Sequence, residues 1–322
     1  MRHLISIILV ANDAQEGDLS IPLSSINNQL GIDFRDLEVI LIDNGQYRLR
    51  DPRAFAIFEN INARYSQPKE ELSWEDAFQL GMMQSDGEYL LFMGPDGLLN
   101  ATSVLQTMLE TVQKHPETEV VSGLVLEQER TRTRQVEYKV GRDRTSIRGR
   151  LVKREFLQKY QIGWHALGEY SDELFSRQVD EFAEHEVEVS EIAYARFTGR
   201  NVRAGVLGPS EKQLTTGWFK MMTAYLDQIK HVDEQRYLES CARVFVRFYS
   251  QLMRIDTDKR QTIVDAMRLL MAHNVAAWPY IKQFIAKTTA ADRSPQAPWV
   301  SHPDLFNGFV GSFDTFLQQS RK

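Results

Sequence analysis

The sequence has 322 residues, of which 43% are hydrophobic and 25% are charged, with a formal net charge of −6. These values are typical of a globular protein with one large and one smaller domain, and the negative charge argues against a general nucleic-acid binder. The single cysteine, Cys241, excludes a disulfide framework, and its apolar neighbours predict a buried helical thiol in a reducing, cytoplasmic setting.

Apolar runs alternate with helical spacings through the first half of the chain. The pattern predicts strands at 4–11, 37–42, 54–57, 89–93 and 120–126, and helices at 19–29, 74–84 and 103–114. Strands that alternate with helices predict an α/β fold with a mostly parallel sheet flanked by helices. Ligands bind such sheets at the carboxyl ends of the strands, where we expect Asn12, Asp43 and Asp96.

The pattern changes to long helices in the last third of the chain. Three apolar stripes at helical spacing predict helical core: Trp218, Met222, Tyr225 and Ile229; Leu238, Cys241, Phe245, Phe248 and Leu252; and Ile263, Met267, Leu270 and Met271. A turn-rich stretch at 205–210 divides a predicted domain at 1–207 from a helical C-terminal domain at 208–322, whose last amphipathic segment is 305–317. Exposed aromatic residues there would suit a homo-oligomer or a protein partner. No apolar segment is long enough to span a bilayer, so membrane contact would be peripheral, at the inner face.

A strip of basic residues lies between Arg130 and Arg154 of this acidic chain. It also contains Arg132, Arg134, Lys139, Arg142, Arg144, Arg148, Arg150 and Lys153, opposed only by Glu137 and Asp143. One interpretation is a solvated hairpin whose charges bind no ligand. The other is a groove that attracts a phosphate-bearing ligand, for which we single out Arg150 and Lys153.

Common catalytic and phosphate-binding motifs are absent from the sequence: G-x-G-x-x-G, the P-loop, H-E-x-x-H and G-x-S-x-G. The histidines lack the spacing of metal ligands, so carboxylates are the better candidates for chemistry. Asp43 and Asp96 follow predicted strands, and Asp172 follows Ser171, a predicted helix cap. Taken singly, each has a structural explanation, because Asp is favoured in turns and in the first turns of helices.

Taken in order, blocks of the first 200 residues resemble the family-2 glycosyltransferases, which are nucleotide-sugar enzymes with the GT-A fold. The blocks are IILVAN at 7–12, SINNQ at 25–29, LEVILIDNG at 37–45, GEYLLF at 87–92, GRLVKREFL at 149–157 and YSDELF at 170–175. The resemblance lies in their order, since each block alone is common.

The resemblance implies sugar transfer from a nucleotide-sugar donor, with inversion at the anomeric carbon. It implies that Asp43 helps to hold the nucleotide base, that Asp96 binds a divalent cation (Mn²⁺ or Mg²⁺) on the diphosphate, and that Asp172 is the general base. Such a cation would neutralise the diphosphate leaving group. The predicted donor-binding residues are Asn12, Asp43, Asp96, Arg150 and Lys153. We expect a UDP-linked donor and, as acceptor, a surface polysaccharide, a teichoic-acid-like polymer or a glycoprotein.

The sequence departs from the family pattern at two positions of the site. Gly94 stands where the first carboxylate of the Asp-x-Asp metal motif is expected, and Ser171 stands where a Glu precedes the catalytic Asp. These departures leave open an alternative, a degenerate glycosyltransferase-like module that binds a partner or a glycan without turnover. Trp164 and His165 are interpreted either as an acceptor platform or as packing, and Arg196 is expected to be exposed to solvent.

Overall fold

The computed structural model describes residues 3–45, 49, 52–61, 63–130, 135–198, 214–252, 255, 257–292, 294 and 297–319. The predicted junction at 205–210, together with Arg132 and Arg134, lies outside these residues. The chain forms two compact units, Met1–Leu207 and Gly208–Lys322. The roles assigned above to the two parts of the chain remain predictions.

The first unit is built on one mixed sheet. Its strands are β1 (Ile5–Asn12), β2 (Leu37–Asn44), β3 (Ala63–Ser66), β4 (Tyr89–Met93), β5 (Gly97–Leu99), β6 (Val120–Arg130), β7 (Val136–Gly141), β8 (Arg150–Lys153) and β9 (Glu186–Thr198). They lie in the order β3-β2-β1-β4-β8-β6-β9-β5, with β7 paired to β6. Strands β1 to β4 are parallel, and β8 then runs antiparallel to β4. The carboxyl ends of β1, β2 and β4 therefore meet at one edge of the sheet.

Among the described residues, five α-helices accompany this sheet: α1 (Glu16–Asn27), α2 (Trp74–Gln84), α3 (Val104–Lys114), α4 (Arg154–Lys159) and α5 (Ser171–Phe182). All five residues of β4 are buried, as expected for a strand covered on both faces by helices. Helix α2 begins after Ser73, whose hydroxyl accepts a 3.1 Å hydrogen bond from the amide of Asp76. These elements confirm the predicted α/β fold.

One predicted strand is wrong. The segment at 54–57 belongs to a short 3₁₀ helix, Pro52–Ile57, and the strand beside β2 is instead Ala63–Ser66. A short apolar run does not distinguish a strand from a helical turn, and the sequence of β3, ARYS, lacks an apolar run because it forms the edge of the sheet.

The second unit is helical. Its helices are α6 (Thr216–Val232), α7 (Glu234–Leu252), α8 (Thr257–His273), α9 (Trp278–Ala291), α10 (Pro298–Ser301) and α11 (Pro303–Gln319). The first two predicted stripes are buried along α6 and α7, and Cys241 is buried on α7 as predicted. The predicted last segment forms α11, which buries Phe306, Phe313 and Leu317. Among the helices described, none has the length and apolar character to cross a membrane.

Candidate active site

Asp43 is fully buried near the end of β2. Its Oδ2 accepts hydrogen bonds from the amide of Leu49 at 3.2 Å, from Nε2 of Gln67 at 3.1 Å and from the hydroxyl of Tyr65. A buried carboxylate requires such donors because desolvation disfavours its charge. Tyr65 and Gln67, in and just beyond β3, thus fix the orientation of the carboxylate.

Asn12 ends β1 beside β2, opposite Asn44. Its Oδ1 accepts a 2.6 Å hydrogen bond from Nδ2 of Asn44. The Asn44 side chain also donates to the carbonyl of Leu72 at 2.9 Å and accepts from the amide of Leu72 at 3.0 Å. The asparagine pair therefore ties two strand ends to the segment that leads into α2.

Asp96 lies in the turn that connects β4 to β5, and it is 8% exposed. Its carbonyl accepts a 2.8 Å hydrogen bond from the amide of Phe197, which follows the antiparallel pairing of β5 with β9. Tyr194 of β9 covers this turn. A Cβ on Gly97 would lie 2.4 Å from the phenol oxygen of Tyr194, so only glycine fits at position 97. Burial, and then the charge of Asp96, raise the pKa of the Tyr194 phenol, which therefore stays neutral.

Asp172 lies in the first turn of α5, where the helix dipole favours a negative charge. Its Oδ1 accepts a 2.9 Å hydrogen bond from the amide of Ile147. Its Oδ2 accepts two 2.7 Å hydrogen bonds, one from the hydroxyl of Ser146 and one from Nη1 of Arg148. The segment just before β8 thus supplies all three hydrogen-bond donors to the Asp172 carboxylate.

Arg148 lies next to Asp172, the predicted general base, and near Asp96, the predicted metal ligand. A Cβ on Gly94 would lie 2.4 Å from Oδ1 of Asp96 and 3.4 Å from Nη2 of Arg148. Burial by itself lowers the pKa of the Arg148 guanidinium, but the charges of Asp172 and Asp96 outweigh it and raise that pKa. Arg148 is therefore a buried cation that forms an ion pair with Asp172 and lies near Asp96.

A comparison with known protein families identifies the family of the chain. The model of the family Glycosyl transferase family 2 matches residues 6–177, which is more than half of the chain. The chain belongs to glycosyltransferase family 2. No curated protein gives a significant match to the sequence.

Solved structures show the same fold. The structure of S. aureus TarS 1-349 in complex with UDP-GlcNAc matches with a TM-score of 0.65 and 14% sequence identity, covering 100% of this chain and 92% of that one. The same protein in complex with UDP matches with a TM-score of 0.59, 14% identity and 91% of its chain covered. At this level of identity the likeness establishes the GT-A architecture of the glycosyltransferase and leaves its substrates open.

Around Asp96, the described residues do not fit the divalent cation that the family resemblance implies. Hard cations such as Mg²⁺ and Mn²⁺ are bound by several oxygen ligands. Gly94 contributes no side-chain oxygen, and the positive charge of Arg148 lies beside the one remaining carboxylate. A second positive charge at this place would be repelled by the first.

A cluster of potential metal ligands occurs at the other end of the parallel strands. Within the described part of the chain, His3, Glu38 and Asp86 are the one group of three whose ligand atoms lie within 4.8 Å of each other. Glu38 is already paired with Arg64 at 3.0 Å, and Nδ1 of His3 lies 2.5 Å from Oδ1 of Asp86. These contacts account for the cluster without a metal.

The structure does not bring Arg150 and Lys153 into contact with Asp96 or Asp172. Arg150 is 3% exposed, and its guanidinium donates to the hydroxyls of Ser122 and Ser176, each at 3.0 Å, and pairs with Asp180 and Glu186. Lys153 lies opposite Tyr89, at the amino end of β4, and its Nζ donates to the carbonyl of Pro116 at 3.4 Å. The predicted phosphate groove is therefore not formed by these two residues.

The predicted exposure of Arg196 is wrong, and Trp164 is packed. The Arg196 side chain is 13% exposed because it pairs with Glu127 and, at 3.6 Å, with Asp143. Trp164 is buried and stacks on Phe78 and Phe175 with ring centroids 4.8 and 4.7 Å apart. Its indole therefore belongs to the core beneath the site, while His165 is exposed.

Glu75 is a buried residue of the site region that the sequence pattern did not single out. Its Oε1 accepts hydrogen bonds from the hydroxyl of Ser171 at 2.6 Å and from the amide of Gly168 at 2.9 Å. Ser171 is the first residue of α5 rather than its cap. A carboxylate from α2 thus lies beside the position where the family pattern has a Glu. In the sequence, Glu75 resembles any acidic residue in a first helical turn.

Proposed function

We propose that this glycosyltransferase transfers a sugar from a UDP-linked donor to a glycan acceptor, with inversion at the anomeric carbon. The observation that carries the proposal is the position of Asp96 and Asp172, which come from distant segments and lie beside one buried cation. Asn12 ends β1 and Asp43 is the penultimate residue of the neighbouring parallel strand β2, so both lie at the same edge of the sheet. The TarS structures with UDP-GlcNAc and UDP support a uridine-linked donor.

Each proposed role suits the chemistry of its residue. Asp43, oriented by Tyr65 and Gln67, holds the nucleotide base, and Asp96 lies towards the ribose and diphosphate. Asp172 takes the proton from the acceptor hydroxyl as it attacks the anomeric carbon. A general base from α5 and a donor site on the strand ends can flank the sugar on opposite sides, as inversion requires.

The acceptor is proposed as a surface polysaccharide, a teichoic-acid-like polymer or a glycoprotein. Action at the inner face of a membrane would give the chain access to such polymers during their assembly. The helical unit Gly208–Lys322 is proposed to bind a partner or a second copy of the chain, for which its exposed Tyr280 and Leu305 are candidates.

The test is donor turnover by the full chain. Incubation with a panel of nucleotide sugars and the three acceptor classes should release UDP from a UDP-sugar, and NMR of the product should show an inverted anomeric centre. Asp172→Asn should lower the rate by roughly 10²–10⁴. Failure of the chain to bind UDP, together with no release from any UDP-sugar, would refute the proposal.

A glycosyltransferase-like module that binds a partner protein or a glycan without turnover is the second candidate. The favouring observation is that Asp172 already accepts three hydrogen bonds from Ser146, Ile147 and Arg148. These donors compete with an acceptor hydroxyl for the oxygens of the carboxylate. Binding of a partner protein or a glycan, with no UDP binding and no turnover for any acceptor, would identify this second function.

A further inference from the structure

We propose that Arg148 supplies the positive charge for the donor diphosphate, so that this glycosyltransferase binds its donor without a divalent cation. The inference rests on the proposed UDP-linked donor. A diphosphate is strongly anionic, and more negative charge develops on it as the sugar departs, so a positive group must lie against it. In the described part of the site, Arg148 is the cation next to both Asp96 and Asp172.

The position of Arg148 follows from strand pairing. Strand β8 runs antiparallel to β4, with Leu151 opposite Leu91, and this register brings Arg148 level with Gly94. Because Gly94 has no side chain, Nη2 of Arg148 comes within 3.4 Å of the place where a Cβ would stand. A carboxylate at position 94 would project into the same region. The loss of the first Asp of the motif and the presence of the guanidinium are thus two parts of one arrangement.

The guanidinium of Arg148 has unused hydrogen-bonding capacity. Nη1 is bound to Asp172, but the buried Nε has no hydrogen-bond partner among the described residues. A buried donor without an acceptor costs free energy, and a phosphate oxygen would remove that cost. Guanidinium also matches phosphate in geometry, since it offers planar pairs of N–H groups.

Binding of the diphosphate would also affect Asp172. Diphosphate and Asp172 compete for the same guanidinium, so a bound donor weakens the 2.7 Å contact between Arg148 and Asp172. One oxygen of Asp172 then becomes available to the acceptor hydroxyl. Conversely, removal of the Asp172 charge should free Arg148 for the diphosphate, so Asp172→Asn should bind UDP more tightly than wild type.

The experiment measures UDP binding to the full chain by calorimetry, in EDTA and with Mn²⁺ or Mg²⁺. The dissociation constant of the wild type should agree within about twofold among the three conditions. Arg148→Gln should weaken UDP binding by about tenfold or more, and Arg148→Lys by less, because it keeps the charge. Uridine, which lacks the diphosphate, should bind wild type and Arg148→Gln alike. Asp172→Asn should tighten UDP binding by about threefold.

Arg142→Gln is the matched control, because Arg142 lies in the same basic strip but pairs with Glu188 at 3.0 Å. It should bind UDP as the wild type does. If Arg148→Gln does not fold, two measurements still test the inference. They are UDP binding by the wild type with and without a divalent cation, and UDP binding by Arg148→Lys and Asp172→Asn. If the wild type binds UDP more than about tenfold more weakly in EDTA than with Mn²⁺ or Mg²⁺, the inference is overturned. The proposed UDP-linked donor would still stand. No UDP binding in any condition would remove both the inference and the proposed function.

Discussion

Nη1 of Arg148 donates a 2.7 Å hydrogen bond to Oδ2 of Asp172, and the two side chains are only 4% and 8% exposed. Removing one partner of a buried ion pair leaves the other charge without compensation, at a cost of about 3–5 kcal/mol. We expect Arg148→Met and Asp172→Asn each to lower the free energy of unfolding by about this amount. The double variant should lose less than the sum, because neither charge then remains.

Urea unfolding followed by circular dichroism measures this cycle. Arg35→Met is the control, because Arg35 is 89% exposed and pairs with Asp33 on the surface, so no measurable loss is expected. Strict additivity of the two single variants would show that Arg148 and Asp172 are not coupled.

Arg150 is predicted to support the fold rather than the donor. Arg150→Gln removes a cation that is 3% exposed and pairs with Asp180 and Glu186, so it should lower the free energy of unfolding by about 3 kcal/mol. Lys153→Gln should have no comparable effect, because its Nζ makes one long contact at an exposed position. UDP affinity of the folded variants should equal that of wild type. Weaker UDP binding by a stable Arg150→Gln protein would return Arg150 to the donor site.

Ser171→Glu would restore the family pattern but is predicted to destabilise this chain. The hydroxyl of Ser171 donates to the buried carboxylate of Glu75 at 2.6 Å, so a second carboxylate there would be repelled. We expect a clear fall in melting temperature for Ser171→Glu and partial recovery in Ser171→Glu/Glu75→Gln. An unchanged melting temperature for the single variant would show that Glu75 can move away from position 171.

Tyr65→Phe tests the environment of Asp43. The substitution removes the phenolic hydroxyl that donates to Oδ2 of Asp43 and leaves the donors from Leu49 and Gln67 in place. If Asp43 holds the nucleotide base, the KM for the donor should rise several-fold while kcat changes little. Such a rise corresponds to the loss of one hydrogen bond, roughly 1 kcal/mol. A lower kcat at constant KM would argue against a role of Asp43 in ground-state donor binding.

Cys241 is predicted to resist alkylation in the folded protein. Burial raises the pKa of the Cys241 thiol from 9.0 to about 12, so the reactive thiolate is suppressed by roughly 10³ at pH 8. Labelling by iodoacetamide should therefore be very slow in buffer and fast in urea. Rapid labelling of the native protein, with circular dichroism unchanged, would place the thiol at an accessible surface of α7.

Local sequence patterns predicted the elements whose buried residues follow the regular spacing of a strand or a helix. Strand β4 and helix α2 have the predicted bounds, Tyr89–Met93 and Trp74–Gln84, because one is covered on both faces and the other is clearly amphipathic. The polar edge strand β3 gave no such pattern. Asp43 and Asp96 were expected at strand ends because parallel strands have a common direction.

The environment of Asp172 could not be predicted in the same way. Its three donors come from residues 146–148, which precede it by 24 to 26 positions in the sequence and meet it only in the fold. In the sequence, Arg148 and Arg150 belong to one basic strip, and Arg150 rather than Arg148 was predicted to bind the donor. In the fold they differ, since Arg148 lies beside Asp96 and Asp172 while Arg150 pairs with Asp180 and Glu186.

The missing side chain at Gly94 has an implication for protein engineering under the metal-free donor binding proposed above. Gly94→Asp alone would set the new acid against the guanidinium of Arg148, and the two would neutralise each other instead of recruiting an ion. Conversion to a metal-dependent transferase therefore requires residues 94 and 148 to be substituted together in one variant.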